Sequence, residues 1–200
     1  MEQERPACSR HEGNIASVAM PCLDVALVHH PVVDRTGEVI TATIDHFDVF
    51  DASRLSLTYP IGTVFVVNPE PSQRALVERL IKHGTDAHRT EDRRGVMHKT
   101  RWVPDLDSAI EAVRQRDGRA PRIVATSARP QPDAIGFPEL RAALQQGEPH
   151  LLLVGKASGL AEEVLAHADL RLRPIDTGTG YNHLSVRSAL AIMIDRLLAP

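Results

Sequence analysis

Four short aliphatic runs, Leu23 to Val28, Val64 to Val67, Ile123 to Ala125 and Leu151 to Val154, constrain this chain more than anything else in it. Each is almost wholly apolar, is bounded by turn residues and is followed by a segment of helical periodicity. A strand apolar on both sides has to be covered on both sides, which is the condition of a parallel sheet. Parallel neighbours cannot be joined by a tight hairpin, so the intervening segments must be crossover helices. The spacing predicts one over Pro71 to His83, with Leu76, Val77, Leu80 and Ile81 on one face, and one over Asp105 to Arg116, with Leu106, Ala109, Ile110 and Val113. Two shorter ones follow at Gly136 to Gln146, with Phe137, Leu140, Ala143 and Leu144 inward, and at Leu160 to His167. The expected class is α/β, a mainly parallel sheet with helices on both faces.

A chain of 200 residues with 42% hydrophobic and 4% aromatic content can bury one aliphatic core, which argues for one domain. No apolar run approaches the ~20 residues that cross a bilayer. The first twenty residues carry Glu2, Glu4, Arg5, Arg10 and Glu12 and lack a signal-peptide apolar core, so the cytoplasm is the expected location. Cys8 and Cys22 show no CxxC spacing, and the ten histidines form no HExxH pattern, so neither a disulfide framework nor a metal site is expected. The net charge is −3, yet Arg89, Arg93, Arg94, Lys99 and Arg101 face only Glu91 and Asp92 between His88 and Trp102. Such a stretch suits either RNA phosphates or an ordinary solvated loop.

Ligands of open parallel sheets bind beyond the carboxyl ends of the strands. Three loops stand there: Thr126-Ser127-Ala128, Gly155 to Gly159, and Arg173 to Gly180. All are rich in small residues, which let main-chain groups approach a ligand closely. A nucleotide phosphate loop is the rival reading, but Lys156 follows the first glycine directly, which breaks GxxxxGK[ST], and neither Gly155/Gly159 nor Gly178/Gly180 completes GxGxxG. The polar turn Tyr181 to Ala189 then runs into the apolar segment Leu190 to Leu198. A polar turn opening a buried helix needs partners for its amides and side chains, which points to a ligand or a partner chain. Asn182 or Ser185 suits a helix cap, and His183 suits either a general base or a structural role.

Taken together, Leu23 to Val32, Ile123 to Ala128, the glycine turn before Leu160 to Leu165, and Asn182 to Ala189 resemble bacterial RNA methyltransferases of the SPOUT superfamily. The likeness is greatest to the small domain also found fused to tRNA (guanine-N1)-methyltransferases, and it runs from about Leu23 to Leu198. It implies a C-terminal deep trefoil knot whose loops hold S-adenosylmethionine. By position, the implied cofactor contacts are Thr126, Ser127, Leu153, Gly155, Gly159, Arg173, Ile175, Leu184, Ser185 and Val186.

The segment Phe47 to Arg54 is similar to the family's first motif, where an arginine points into the active site. The resemblance thus implies Arg54 as a catalytic residue, beside the expected catalytic candidates His183 and Asn182; without it, Arg54 reads as pairing with Asp48 or Asp51 on an exposed helix face. It further implies RNA as substrate, tRNA or rRNA, methylated on a base nitrogen or ribose 2′-hydroxyl, and the basic stretch then makes Arg89, Arg93, Arg94, Lys99 and Arg101 the expected RNA contacts. A homodimer through the C-terminal helix is expected, because Leu190, Ile192, Met193, Ile194, Leu197 and Leu198 spread around much of its circumference. The chain departs from the family where relatives tend to read GTGWGL and it reads Gly155-Lys156-Ala157-Ser158-Gly159-Leu160, and at Pro60, which should end the preceding helix. A non-catalytic knotted module that binds RNA or protein is the alternative. Residues 1–21 are expected to form a disordered arm ahead of a methyltransferase domain over 22–200.

Overall fold

The computed structural model describes residues 23–84 and 95–200. In chain order the first elements are β1 (Leu23–Val28), β2 (Val32–Val33), β3 (Val39–Ile40), α1 (His46–Thr58), β4 (Ile61–Val67), α2 (Pro71–Gly84) and β5 (Thr100–Val103). They are followed by α3 (Leu106–Asp117), β6 (Arg122–Thr126), α4 (Phe137–Leu144), β7 (His150–Gly155), α5 (Glu162–Ala166), β8 (Leu170–Leu172) and α6 (Val186–Leu198). Six strands form one sheet in the order β5-β4-β1-β7-β6-β8, every pairing parallel, and β2 and β3 make a small antiparallel ribbon. The four aliphatic runs are the four central strands.

Side-chain alternation along β1 divides the core into two layers. Leu23, Val25 and Leu27 face a cluster containing Val49 and Ala52 of α1, Val77 of α2, Leu140 and Leu144 of α4, and Leu190, Met193, Ile194 and Leu197 of α6. Ala26 and Val28 face the other side, with Ala109 and Val113 of α3 and Val164 and Leu165 of α5. Strands buried on both faces are the reason these runs are almost wholly apolar. Asp45 caps α1 by accepting from Phe47 N at 2.9 Å, and Tyr59, extended ahead of Pro60, ends it. Asp105 caps α3 by accepting from Ser108 N, and Gly118 at φ 75° closes it.

One polar group lies in the sheet at the amino end of β1. The Asp24 carboxylate, buried, accepts from Arg116 Nη1 at 2.8 Å and Nη2 at 2.7 Å, and from Thr63 N at 2.6 Å. Gly62 leaves room for it, since a Cβ there would stand 2.5 Å from Asp24 Oδ1. Charge-assisted bonds to a buried carboxylate are worth more than neutral ones, and losing it leaves a partly buried amide unpaired. Asp24→Ala is expected to cost about 2 kcal/mol in urea unfolding. A change below a few tenths would show that solvent replaces those bonds.

The path after β8 positions the site. β8 is an edge strand, yet α6, which follows it, packs on α1, α4 and β7. Residues 173–185 therefore cross the carboxyl edge of the sheet before α6 begins. The helix itself is more two-faced than its composition predicts. Leu190, Met193, Ile194 and Leu197 are buried, whereas Ser188, Asp195 and Arg196 are exposed, with Asp195 accepting from the Tyr59 hydroxyl at 2.8 Å.

Candidate active site

At the carboxyl edge the loop after β6 is hydrogen-bonded to the loop after β8. Ile135 N donates to Arg171 O and Arg173 N to Ile135 O, both at 2.9 Å, which lays the first loop along the third. Arg173 Nε adds a bond to Ala134 O at 3.1 Å, and Asn182 Nδ2 reaches Ala128 O at 2.5 Å. The Thr126 hydroxyl donates to Leu153 O at 2.8 Å, joining β6 to β7 at their ends. Between the first and third loops lies a pocket of about 410 Å³ lined by Pro130, Gln131, Asp133, Ala134, Arg173 and Pro174.

The middle loop is a tight turn. A Cβ on Gly155 would lie 2.6 Å from Leu160 N and 2.9 Å from Gly159 C, so the turn closes only around a residue without a side chain. Gly159 takes φ 118° and Ala157 φ 55°. Lys156 N donates to Val28 O at 2.9 Å, while Ser158 N and Gly159 O bond Val33 O and Val33 N at 2.8 and 2.9 Å. The turn is thus clamped between β1 and the β2–β3 ribbon, and its exposed side chains are the small ones of Ala157 and Ser158.

Beside it sits an ionic cluster drawn from three segments. The Lys156 ammonium contacts the carboxylate of Asp48, which is buried on α1, and lies 3.9 Å from Asp45 Oδ2. Arg187, in the first turn of α6, lies 3.8 Å from Asp48 Oδ1 and 3.9 Å from Asp45 Oδ2, and stacks 5.7 Å from the Phe47 ring. His29, just past β1 and only 1% exposed, donates from Nδ1 to Leu27 O at 3.1 Å. Its Nε2 is buried without a hydrogen-bond partner. Burial pulls its pKa down to about 4, reinforced by the Lys156 charge and opposed by Asp48 and Asp45, so the ring is neutral at pH 7.

Of the residues implied by the resemblance, the fold brings Thr126, Ser127, Leu153, Gly155, Gly159, Arg173, Ile175, Asn182, Leu184, Ser185 and Val186 to these loops or to the strand and helix ends beside them. Leu153 is buried within β7, and the Ser127 hydroxyl accepts from Arg129 N at 3.0 Å. Ser185 caps α6, its hydroxyl accepting from Ser188 N at 3.3 Å. Asn182 ties two loops together. His183 is exposed, edge-on to the Tyr181 ring at 5.6 Å, and Leu184 is exposed ahead of the helix.

Arg54 pairs within its own helix. Its side chain is 59% exposed on α1 and lies 3.7 Å from Asp51. Lys99 is turned inward, donating to Ser56 O at 2.8 Å and Ile61 O at 2.9 Å, and burial lowers its pKa. Arg101 is exposed on β5. Arg89, Arg93 and Arg94 lie outside the described residues, as do Cys8, Cys22 and the segment 1–21.

His29, Asp48 and Lys156 were not singled out as site residues by sequence. His29 carried a usable signal, since it continues the inward phase of Leu23, Val25 and Leu27 as a polar residue. Among the described residues there is no group of three or more histidine, cysteine, aspartate or glutamate side chains placed to hold a metal, and no helix long and apolar enough to cross a membrane.

A parallel sheet with its glycine turn and fastened loops at the carboxyl edge defines a small-ligand site of the α/β type. Residues 22–199 match a family model described as SAM-dependent RNA methyltransferase, and the chain belongs to that family. It is 40% identical over 176 residues to the tRNA (guanine-N(1)-)-methyltransferase of Oleidesulfovibrio alaskensis, covering 86% of this chain and 41% of that one. The chain thus spans about two fifths of that relative's length. An uncharacterized protein of Aquifex aeolicus is 32% identical over 181 residues, covering 88% of this chain and 87% of the other. The fold is shared with the SpoU methyltransferase AviRb of Streptomyces viridochromogenes, solved in complex with AdoMet. That likeness has a TM-score of 0.53 at 16% identity over 97% of this chain and 62% of AviRb. The description of the matched family names S-adenosylmethionine as its cofactor. The turn after β7 fits that cofactor, because at Gly159 nothing stands within 4 Å of where a Cβ would be, which leaves its backbone open to a flat nucleoside.

Proposed function

We propose that the chain methylates a base nitrogen or ribose 2′-hydroxyl of tRNA or rRNA in the cytoplasm, as a homodimer. The observation that carries this reading is the hydrogen bonding of the loop after β6 to the loop after β8, beside the glycine turn that ends β7. Main-chain groups of Gly155, Arg173, Ile175 and Leu184 would hold the adenosyl part, with Thr126, Ser127, Leu153, Gly159, Ser185 and Val186 around them. When bound, S-adenosylmethionine supplies an electrophilic methyl on a sulfonium. The remaining work is alignment of the acceptor and, where the acceptor carries a proton, its removal.

Alignment falls to Asn182, which holds the third loop against the first, and proton removal to His183, whose ring is exposed to an incoming acceptor. The loops between β6 and α6 form the trefoil crossing in this reading, with 173–185 as the threaded stretch. Pairing uses the outer side of α6 together with α1, where Phe47 and Leu57 are exposed large apolar residues. Such pairing turns Arg54 of one protomer toward the cofactor of the other, where its permanent charge orients a phosphate or an acceptor oxygen. Arg101, with Arg89, Arg93 and Arg94, extends the RNA surface.

Nucleoside mass spectrometry of tRNA and rRNA from a deletion strain tests the reaction, and one missing methylated nucleoside is the expected result. Arg54→Ala is expected to reduce methyl transfer at least about a hundredfold with S-adenosylmethionine affinity unchanged, as for loss of a transition-state contact. An unchanged nucleoside profile, with no binding of S-adenosylmethionine in calorimetry, would rule the enzyme reading out.

A further inference from the structure

We propose that Lys156, Asp48 and Arg187 form a positioning network that sets the geometry of the cofactor turn against the first turn of α6, using α1 as the reference. The inference rests on the proposed placement of S-adenosylmethionine at the Gly155–Gly159 turn.

The argument begins with where these three residues sit. Lys156 belongs to the turn itself, Asp48 to the first turn of α1, and Arg187 to the first turn of α6. They lie far apart in sequence, yet the buried Asp48 carboxylate is shared by both cations, at its Oδ2 by Lys156 and at its Oδ1 by Arg187. Asp45, the cap of α1, faces the same two cations at 3.9 Å. Two carboxylates and two cations balance, which is the condition under which buried charge is tolerated.

Geometry assigns the network a positioning role and not a direct one. The Lys156 side chain is 25% exposed and its ammonium is engaged by Asp48. Its main-chain amide is fixed by Val28 O, so the pull of Asp48 acts on a backbone segment already clamped at one end. On the other side, Arg187 couples the same carboxylate to the helix that begins after Leu184 and Ser185. The network thus joins two of the loops that close on the cofactor. His29 Nε2, buried with no hydrogen-bond partner, lies within electrostatic range of Lys156, Asp48 and Asp45. A misplacement of about 1 Å in such a loop is enough to lose one to two orders of magnitude in function.

The test is calorimetric titration of the full chain with S-adenosylmethionine, with circular dichroism confirming the fold of each variant. Lys156→Met and Asp48→Asn are each expected to weaken affinity about tenfold, and the double variant no further than the worse single, because both cut the same link. Lys156→Arg is expected to restore most of the affinity, which loss of a purely structural contact would not predict. Arg187→Gln removes a side chain that is 41% exposed, so it tests the link even where Lys156→Met does not fold, and the same tenfold loss is expected. Folded Lys156→Met or Arg187→Gln protein that binds within twofold of wild type would overturn the network while leaving the cofactor reading intact. A wild-type protein that does not bind S-adenosylmethionine at all would overturn the cofactor reading, and the network's role with it.

Discussion

Gly155→Ala is expected to lower affinity for S-adenosylmethionine roughly a hundredfold while the sheet stays folded. The added methyl meets main-chain atoms, Leu160 N at 2.6 Å and Gly159 C at 2.9 Å, and these cannot swing aside as the end of a flexible side chain would. Leu160 is itself pinned, buried and bridged to Val32 of the antiparallel ribbon, with Ala161 N bonded to Pro31 O at 3.3 Å. The strain therefore moves the turn rather than its neighbours, and the turn is where the cofactor would lie. Gly155 is the last residue of β7, so the body of that strand, paired on both sides from His150 onward, has no reason to open. Calorimetry with S-adenosylmethionine and a thermal melt followed by circular dichroism measure the two parts separately. A folded variant binding within threefold of wild type would place the cofactor away from this turn.

How much of this was legible beforehand depends on how local each signal was. β1 runs over Leu23–Val28 as read, because all six positions are buried and the apolar run has sharp ends. β4 begins three residues earlier than its apolar run, at Ile61, because Gly62 and Thr63 serve the Asp24 carboxylate rather than the core. β5 escaped notice: as an edge strand paired only with β4 it needs little apolar content, and its exposed Arg101 belonged to a basic stretch. Lys99, in the same stretch, shows the limit of charge counting. Its ammonium caps two main-chain carbonyls near the end of α1, and nothing in the sequence separates an inward lysine from an outward one. The three loops at the carboxyl edge were legible because small residues at strand ends are a local pattern. The cluster of His29, Asp48, Lys156 and Arg187 was not, because its members meet only through the sheet order and the path of 173–185.

His29 should make the protein acid-labile in a defined window. Its Nδ1–H is committed to Leu27 O, so an added proton must go to Nε2, which is buried without an acceptor, and burial holds the folded pKa near 4. In the unfolded chain the ring titrates near 6.5, so between about pH 6.5 and 4 the unfolded state binds a proton that the folded state refuses. Protons then favour unfolding. The stability this ring permits is fully present above pH 6.5, falls as the pH drops toward 4, and levels off below that. The loss amounts to about 3 kcal/mol for a shift of this size. His150, also buried and lowered by that burial, acts in the same direction, while carboxylates titrate across the lower part of the window. A single profile therefore cannot isolate His29, and the comparison must be with His29→Gln, which carries no titrating group. Urea unfolding of both proteins at intervals from pH 7 to pH 4 should show wild type losing about 3 kcal/mol more than the variant. Parallel profiles would mean that the buried imidazole takes up its proton as readily folded as unfolded, with Asp48 and Asp45 supplying the compensation.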